Sequence, residues 1–222
     1  HRVLLLDAER PAFGASGRNP GFLWLQTKSA GVPMDFALAG RRFADTLTDE
    51  AGGFGFRASG GLIVYRDERL APVAEAFTAD RRAAGLMVEH VGRAQLLSLC
   101  PAFGPKVRGA VYNSLDAYQD TPALVALLVA RAVEQGAEVR ASAPVERLKI
   151  AGGACRGVVL SSGEEIDAAH VVLATGPGTR SLLLGAGLEM PPWDIYRFEA
   201  AATSPTDLAI GPVICGQALF RF

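Results

Sequence analysis

The sequence predicts a mixed α/β protein with a buried parallel strand, a small antiparallel β-meander and, further on, strands of a second sheet. Three observations predict it. Residues 3–6 are an apolar run, Val-Leu-Leu-Leu, closed by Asp7, the pattern of a strand buried on both faces of a parallel sheet. Asp120-Thr121-Pro122 supplies capping oxygens and a first-turn proline for a long helix that Gly136 stops. Between 138 and 174, apolar stretches alternate with the turns Gly152-Gly153 and Ser161-Ser162-Gly163, the spacing of an antiparallel meander. That stretch ends on a second buried-strand run, Val171-Val172-Leu173-Ala174.

Taken in order, the strand at 3–6 leads into the loop Gly14-Ala15-Ser16-Gly17-Arg18-Asn19-Pro20-Gly21, too rich in glycine for regular structure. A buried strand opening this early implies preceding chain that supplies its neighbours. Residues 34–47 space Phe36, Leu38, Phe43 and Leu47 among charges and predict a helix. Strands are expected at 60–65, 87–91 and 109–112, and helices at 70–84, stopped by Gly85, and at 93–99, stopped by Pro101. After the helix from 121 to 135 come strands at 138–141, 145–150, 157–160 and 171–174. The turn Thr175-Gly176-Pro177-Gly178 then leads into a helix at 179–184. Residues 195–203 and 213–222 read as strands of the second sheet.

Half of the 222 residues are hydrophobic, 20% are charged, and the formal net charge is -1. That balance gives no electrostatic footprint for nucleic acid or an anionic membrane. No apolar run approaches the roughly 20 residues of a membrane span. The most apolar stretch, 121–133, is broken by Arg131 and reads as a buried helix. Residues 1–7 lack the pattern of a signal peptide. Cys100, Cys155 and Cys215 are odd in number and far apart, which suits reduced thiols in the cytoplasm better than a disulfide framework. His1, His90 and His170 are scattered, so no metal site is expected.

Four segments in this order resemble the D-amino-acid oxidase superfamily, which holds glycine oxidase, sarcosine oxidase and the opine and D-amino-acid dehydrogenases. They are Val3-Leu4-Leu5-Leu6-Asp7, the loop from Gly14 to Gly21, Asp120-Thr121-Pro122 with its helix, and Val171-Val172-Leu173-Ala174-Thr175-Gly176. The resemblance implies FAD as cofactor and a Rossmann-like FAD-binding domain over 1–30 and 118–188, interleaved with a substrate domain over 31–117 and 189–222. It places Asp7 at the ribose, where a carboxylate accepts hydrogen bonds from vicinal hydroxyls; Glu9, two residues on, is the local alternative. Ser16, Arg18, Asn19, Gly21 and Phe22 fall on the loop beneath the flavin, where small residues let amides approach phosphate oxygens. Arg18 either balances pyrophosphate or reduced-flavin charge or is a solvated side chain. Val145 offers its backbone to the adenine edge, and Thr175 and Gly176 close the last strand beside the cofactor, unless both are ordinary sheet-edge structure.

The family's GxGxxG loop does not occur in these residues. A protein of these residues alone is therefore expected not to hold FAD tightly. The implied reaction oxidises a C–N bond of an amino acid or secondary amine by hydride transfer to flavin. The alternatives are a hydroxy-acid or alcohol oxidoreductase on the same scaffold, or a non-catalytic subunit. The implied partners are a small amine or amino-acid substrate and either a partner subunit or further copies of the chain. Tyr196, Arg197, Phe220 and Arg221 are candidate pocket residues, each also readable as packing or surface, and no catalytic residue is assigned.

Overall fold

The computed structural model describes residues 2–190, 207 and 210–216. The chain divides into two compact units, His1–Asn19 with Val125–Ala201, and Pro20–Leu124 with Ala202–Phe222.

In the first unit β1 (Leu4–Leu6) pairs in parallel with β7 (Glu138–Arg140). The meander consists of β8 (Val145–Ala151), β9 (Ala154–Leu160) and β10 (Glu165–Asp167), all antiparallel in the order β10-β9-β8. Its core is Ala143, Leu148, Val158 and Leu160, onto which Leu6, Val171, Leu173 and, from helix α5 (Thr179–Gly185), Leu183 pack. Three expectations are corrected here. β1 has a single neighbour among the described residues, and Val3 and Leu5 are 52% and 39% exposed. Residues 171–174 are in no strand, and Val172 is 88% exposed. An apolar run becomes a ladder only where another strand meets its backbone, and no described strand does so here. The segment at 138–140 leaves the meander to pair with β1, and its place in the antiparallel set is taken by β10, whose Glu-Ile-Asp sequence carries little strand signal.

In the second unit a four-stranded sheet runs in the order β11-β3-β5-β4. β3 (Gly61–Tyr65), β5 (Gly109–Asn113) and β4 (Val88–Gly92) are antiparallel neighbours, and β11 (Val213–Cys215) lies parallel to β3. Side chains alternate across a strand, and both faces are covered. Ile63, Tyr65, Val88 and Val111 pack with Met34 of α1 (Val32–Ala51) and Ala74 and Phe77 of α2 (Ala71–Ala83). Leu62, Val91 and Ala110 face the other way, onto Leu96 of α3 (Arg93–Leu99). A short antiparallel ribbon, β2 (Phe22–Leu23) with β6 (Ala117–Tyr118), completes the unit.

Helix α4 (Thr121–Glu134) starts as the sequence predicts, with the Ala123 N–H donating to the Asp120 carboxylate at 3.1 Å. Its burial is corrected: none of its residues is fully buried, and Leu128 and Val133 are 39% and 51% exposed. Of the expected second-sheet strands, 213–215 is present, while 195–203 and 217–222 lie outside the described residues. No helix among the described residues is long and apolar enough to cross a membrane.

Candidate functional site

Asp7 follows the carboxyl end of β1, the end at which open parallel sheets bind ligands. Its N–H donates to the Arg140 carbonyl at 3.0 Å, and its own carbonyl accepts the Ala143 N–H at 2.9 Å. The carboxylate is half-buried and accepts the Glu9 N–H at 2.9 Å, which orients it. Glu9, the alternative acid, is exposed and is joined to the same turn through its carbonyl, which accepts the Ser142 N–H at 2.7 Å. The β7–β8 turn is thus sewn to the end of β1, and Val145 stands two residues beyond Ala143 as the first residue of β8. A cavity of about 360 Å³ opens at this turn, lined by residues that include Ser142, Pro144, Leu160 and Arg140. Arg140 is held at the rim by Glu138 at 2.7 Å and Glu164 at 2.9 Å.

The loop that carries Ser16, Arg18 and Asn19 holds a short 3-10 helix, Ala15–Gly17, so the expectation of no regular structure is corrected. Asn19 makes the turn possible: its Nδ2 donates to the carbonyls of Ser16 at 2.7 Å and Ala15 at 3.1 Å. Gly17 lies so close to the Ala12 carbonyl that any Cβ would collide with it. Ser16 is exposed. The Arg18 guanidinium stacks on the Phe13 ring, 4.9 Å from its centroid, and Arg10 approaches the same ring at 5.8 Å, a cation–π arrangement that fixes where its charge sits.

Thr175 and Gly176 end the segment whose Val171 and Leu173 pack on the same core as Leu6. The Thr175 and Thr179 hydroxyls share a hydrogen bond of 2.9 Å, and Gly176, at φ +53, begins the 3-10 turn into α5. Of the sequence-predicted residues, Asp7, Val145, Thr175 and Gly176 are therefore attached to one core, and Ser16, Arg18 and Asn19 share one loop.

Gly21 and Phe22 belong to the second unit. Gly21 is buried at φ +75, its carbonyl accepts the Gln119 N–H at 2.8 Å, and a Cβ would strike the Gln119 carbonyl oxygen. Phe22, 44% exposed, opens β2 opposite Tyr118. Tyr196, Arg197, Phe220 and Arg221 lie outside the described residues.

The FAD-dependent oxidoreductase model of the DAO family matches residues 1–216. The chain belongs to that family. It is 29% identical over 203 residues to a subunit of the opine oxidase of Rhizobium meliloti, across 85% of this chain and 53% of that protein. Among solved structures, glycine oxidase from Geobacillus kaustophilus superposes with a TM-score of 0.75 at 24% identity, covering 85% of this chain and 52% of that one. L-proline dehydrogenase from P. horikoshii superposes with a TM-score of 0.79 at 15% identity, covering 98% and 64%. The chain thus spans about half the length of the first two relatives. The present residues fit the family's cofactor on one observation: an oriented, half-buried carboxylate stands at the carboxyl end of a parallel strand, the acceptor that a ribose diol needs.

A polar cluster in the second unit was not legible as a site. Asp116 is fully buried and accepts three N–H bonds. Its one sequence signal is a carboxylate set between Leu115 and Ala117. Among the described residues no three His, Cys, Asp or Glu side chains group as a metal requires, and Cys100, Cys155 and Cys215 are free thiols.

Proposed function

We propose that this chain is part of an FAD-dependent oxidoreductase that oxidises a C–N bond of an amino acid or secondary amine. The observation that carries the reading is the similarity to the opine oxidase subunit over 85% of the chain. Structural neighbours named for glycine, L-proline and iminodiacetate point to the same substrate class. A neighbour named for L-α-glycerophosphate, with a TM-score of 0.61, is what favours the second reading, an alcohol or hydroxy-acid oxidoreductase. The cofactor domain is taken as 1–30 with 118–188 and the substrate domain as 31–117 with 189–222. That the Rhizobium relative is one subunit of its oxidase supports a partner subunit here, and the three free thiols support a cytoplasmic setting.

When bound, FAD supplies a two-electron acceptor for a hydride from the substrate carbon. The nitrogen lone pair forms the C=N bond, the nitrogen gives up a proton, and water splits the imine into a carbonyl compound and an amine. On this reading Asp7 would hold the adenosine ribose through its carboxylate, with Glu9 N–H keeping that group in place. The backbone of Val145 would face the adenine edge, and Thr175 and Gly176 would close the turn beside it. Ser16, Arg18 and Asn19 would present amides and one positive charge to phosphate or flavin, with Gly21 and Phe22 continuing that loop.

Product analysis on the full chain tests this. Amine or ammonia released in a 1:1 ratio with a keto acid or aldehyde is expected, whereas turnover of hydroxy acids alone contradicts it. Asp7→Ala removes an acceptor of charge-assisted hydrogen bonds and is expected to weaken FAD binding about tenfold or more, about 1.4 kcal/mol or above. Unchanged FAD affinity removes Asp7 from the site.

A further inference from the structure

Residues 116–120 form a spine in the second unit. On one side the Gln119 N–H donates to Gly21 at 2.8 Å, and β6 pairs with β2. On the other side the Asp120 N–H donates to Phe54 at 3.1 Å, Tyr118 and Arg57 exchange both backbone hydrogen bonds, and the Gly60 N–H donates to the Asp116 carbonyl at 2.9 Å. Beyond β2 the backbone ladder stops, and the Asp116 side chain continues it. Its Oδ1 accepts the Leu25 N–H at 2.7 Å. Its Oδ2 accepts Gln26 Nε2 at 2.6 Å. Asn113 Nδ2 adds a third bond, to Oδ1, at 2.8 Å.

Gly61 is pressed against this group: a Cβ there would lie 2.5 Å from Asp116 Oδ2 and 2.6 Å from Trp24 Cζ3. Gln26 Oε1 and Trp24 Nε1 are buried without a hydrogen-bond partner among the described residues. The segment 24–26 is thus held by the Asp116 carboxylate while two of its own polar atoms go unpaired. Buried polar atoms without a partner are uncommon in folded proteins and mark a segment fixed by its other bonds.

We infer that Asp116 is a positioning residue, whose carboxylate clamps Trp24–Gln26 and so seats the Gly21–Phe22 turn that the proposed function puts beside the flavin. The inference rests on that reading for its functional meaning, and on the hydrogen bonds alone for the clamp. Burial holds the Asp116 carboxyl up at about 6 against the pull of the Leu25 and Gln26 backbone and the Gln26 and Asn113 side chains, so the clamp changes charge near neutral pH. The titratable group that senses it is the Cys215 thiol on β11, itself raised by burial and by Asp116; the Arg41 guanidinium on α1 reaches the neighbouring residue. Arg41 is engaged by the Leu115 carbonyl, to which its Nε donates at 2.8 Å, and by Asp45. No cation among the described residues is bonded to Asp116 itself.

The test is a pH titration of Trp24 emission in the full-length protein with Trp193 and any tryptophan outside these residues replaced by Phe, read beside the visible flavin band. The parent is expected to show one transition in both signals, with a midpoint near 6. Asp116→Asn keeps the shape and loses the proton, because Gln26 can turn its unpaired Oε1 toward the new amide. It is expected to remain folded with flavin bound and to show no transition. A transition unchanged in Asp116→Asn, or absent from the parent, overturns the inference. A protein that holds no flavin yet shows the Asp116-dependent Trp24 transition contradicts the proposed function and leaves the clamp standing. A normal flavin without that transition does the reverse.

Discussion

Gly21→Ala is expected to strip the full-length protein of bound flavin and to lower its unfolding midpoint. The substitution acts twice. At φ +75 an L-residue costs about 1–2 kcal/mol, and the new methyl strikes the Gln119 carbonyl oxygen. Relief requires the β2–β6 ribbon to part, losing the Gln119-to-Gly21 hydrogen bond of 2.8 Å, itself worth about 0.5–1.5 kcal/mol. The sum is about 1.5–3.5 kcal/mol, and the displaced atoms are those the proposed function sets beside the flavin. Urea unfolding and the flavin-to-protein absorbance ratio check it. Near-normal values for both would mean that the turn tolerates a side chain and that the packing around Gly21 is loose.

Asp116→Asn is expected to stabilise the second unit at pH 8 and to leave it nearly unchanged at pH 4. A carboxyl whose folded value is raised binds its proton more tightly folded than unfolded. Its favourable contribution is therefore complete below the unfolded value of about 3.8 and disappears as pH rises through about 6. Above that range the ionised group burdens the fold by up to about 3 kcal/mol, against which the neutral amide bears no charge. Urea unfolding at both pH values reads the difference directly. Equal effects at the two would mean that Asp116 does not change its proton on unfolding.

The order of elements was legible because each depends on neighbours in sequence. Asp120 and Pro122 announce α4, Gly85 ends the α2 region, and β3 and β5 are short apolar runs between turns. What depends on distant partners was not legible. The apolar run at 171–174 looks like a strand, but its state is decided by whether another backbone lies alongside. β10 is missed because Glu-Ile-Asp becomes a strand only through the edge that β9 offers. The same holds for the sites. Asp7 could be picked from its position at a strand end, whereas the burial of Asp116 is set by donors 90 and 91 residues earlier in the chain. Arg18 was legible as a charge in a small-residue loop, but the Phe13 ring that holds it was not.

The most direct test of C–N oxidation by a bound flavin is the visible spectrum of the full-length protein that contains these residues, under anaerobic conditions, followed as matched substrates are added. A flavin spectrum that bleaches with N-substituted or free amino acids and stays oxidised with hydroxy acids of the same carbon skeleton is expected. A colourless protein, or bleaching by the hydroxy acids alone, would contradict it.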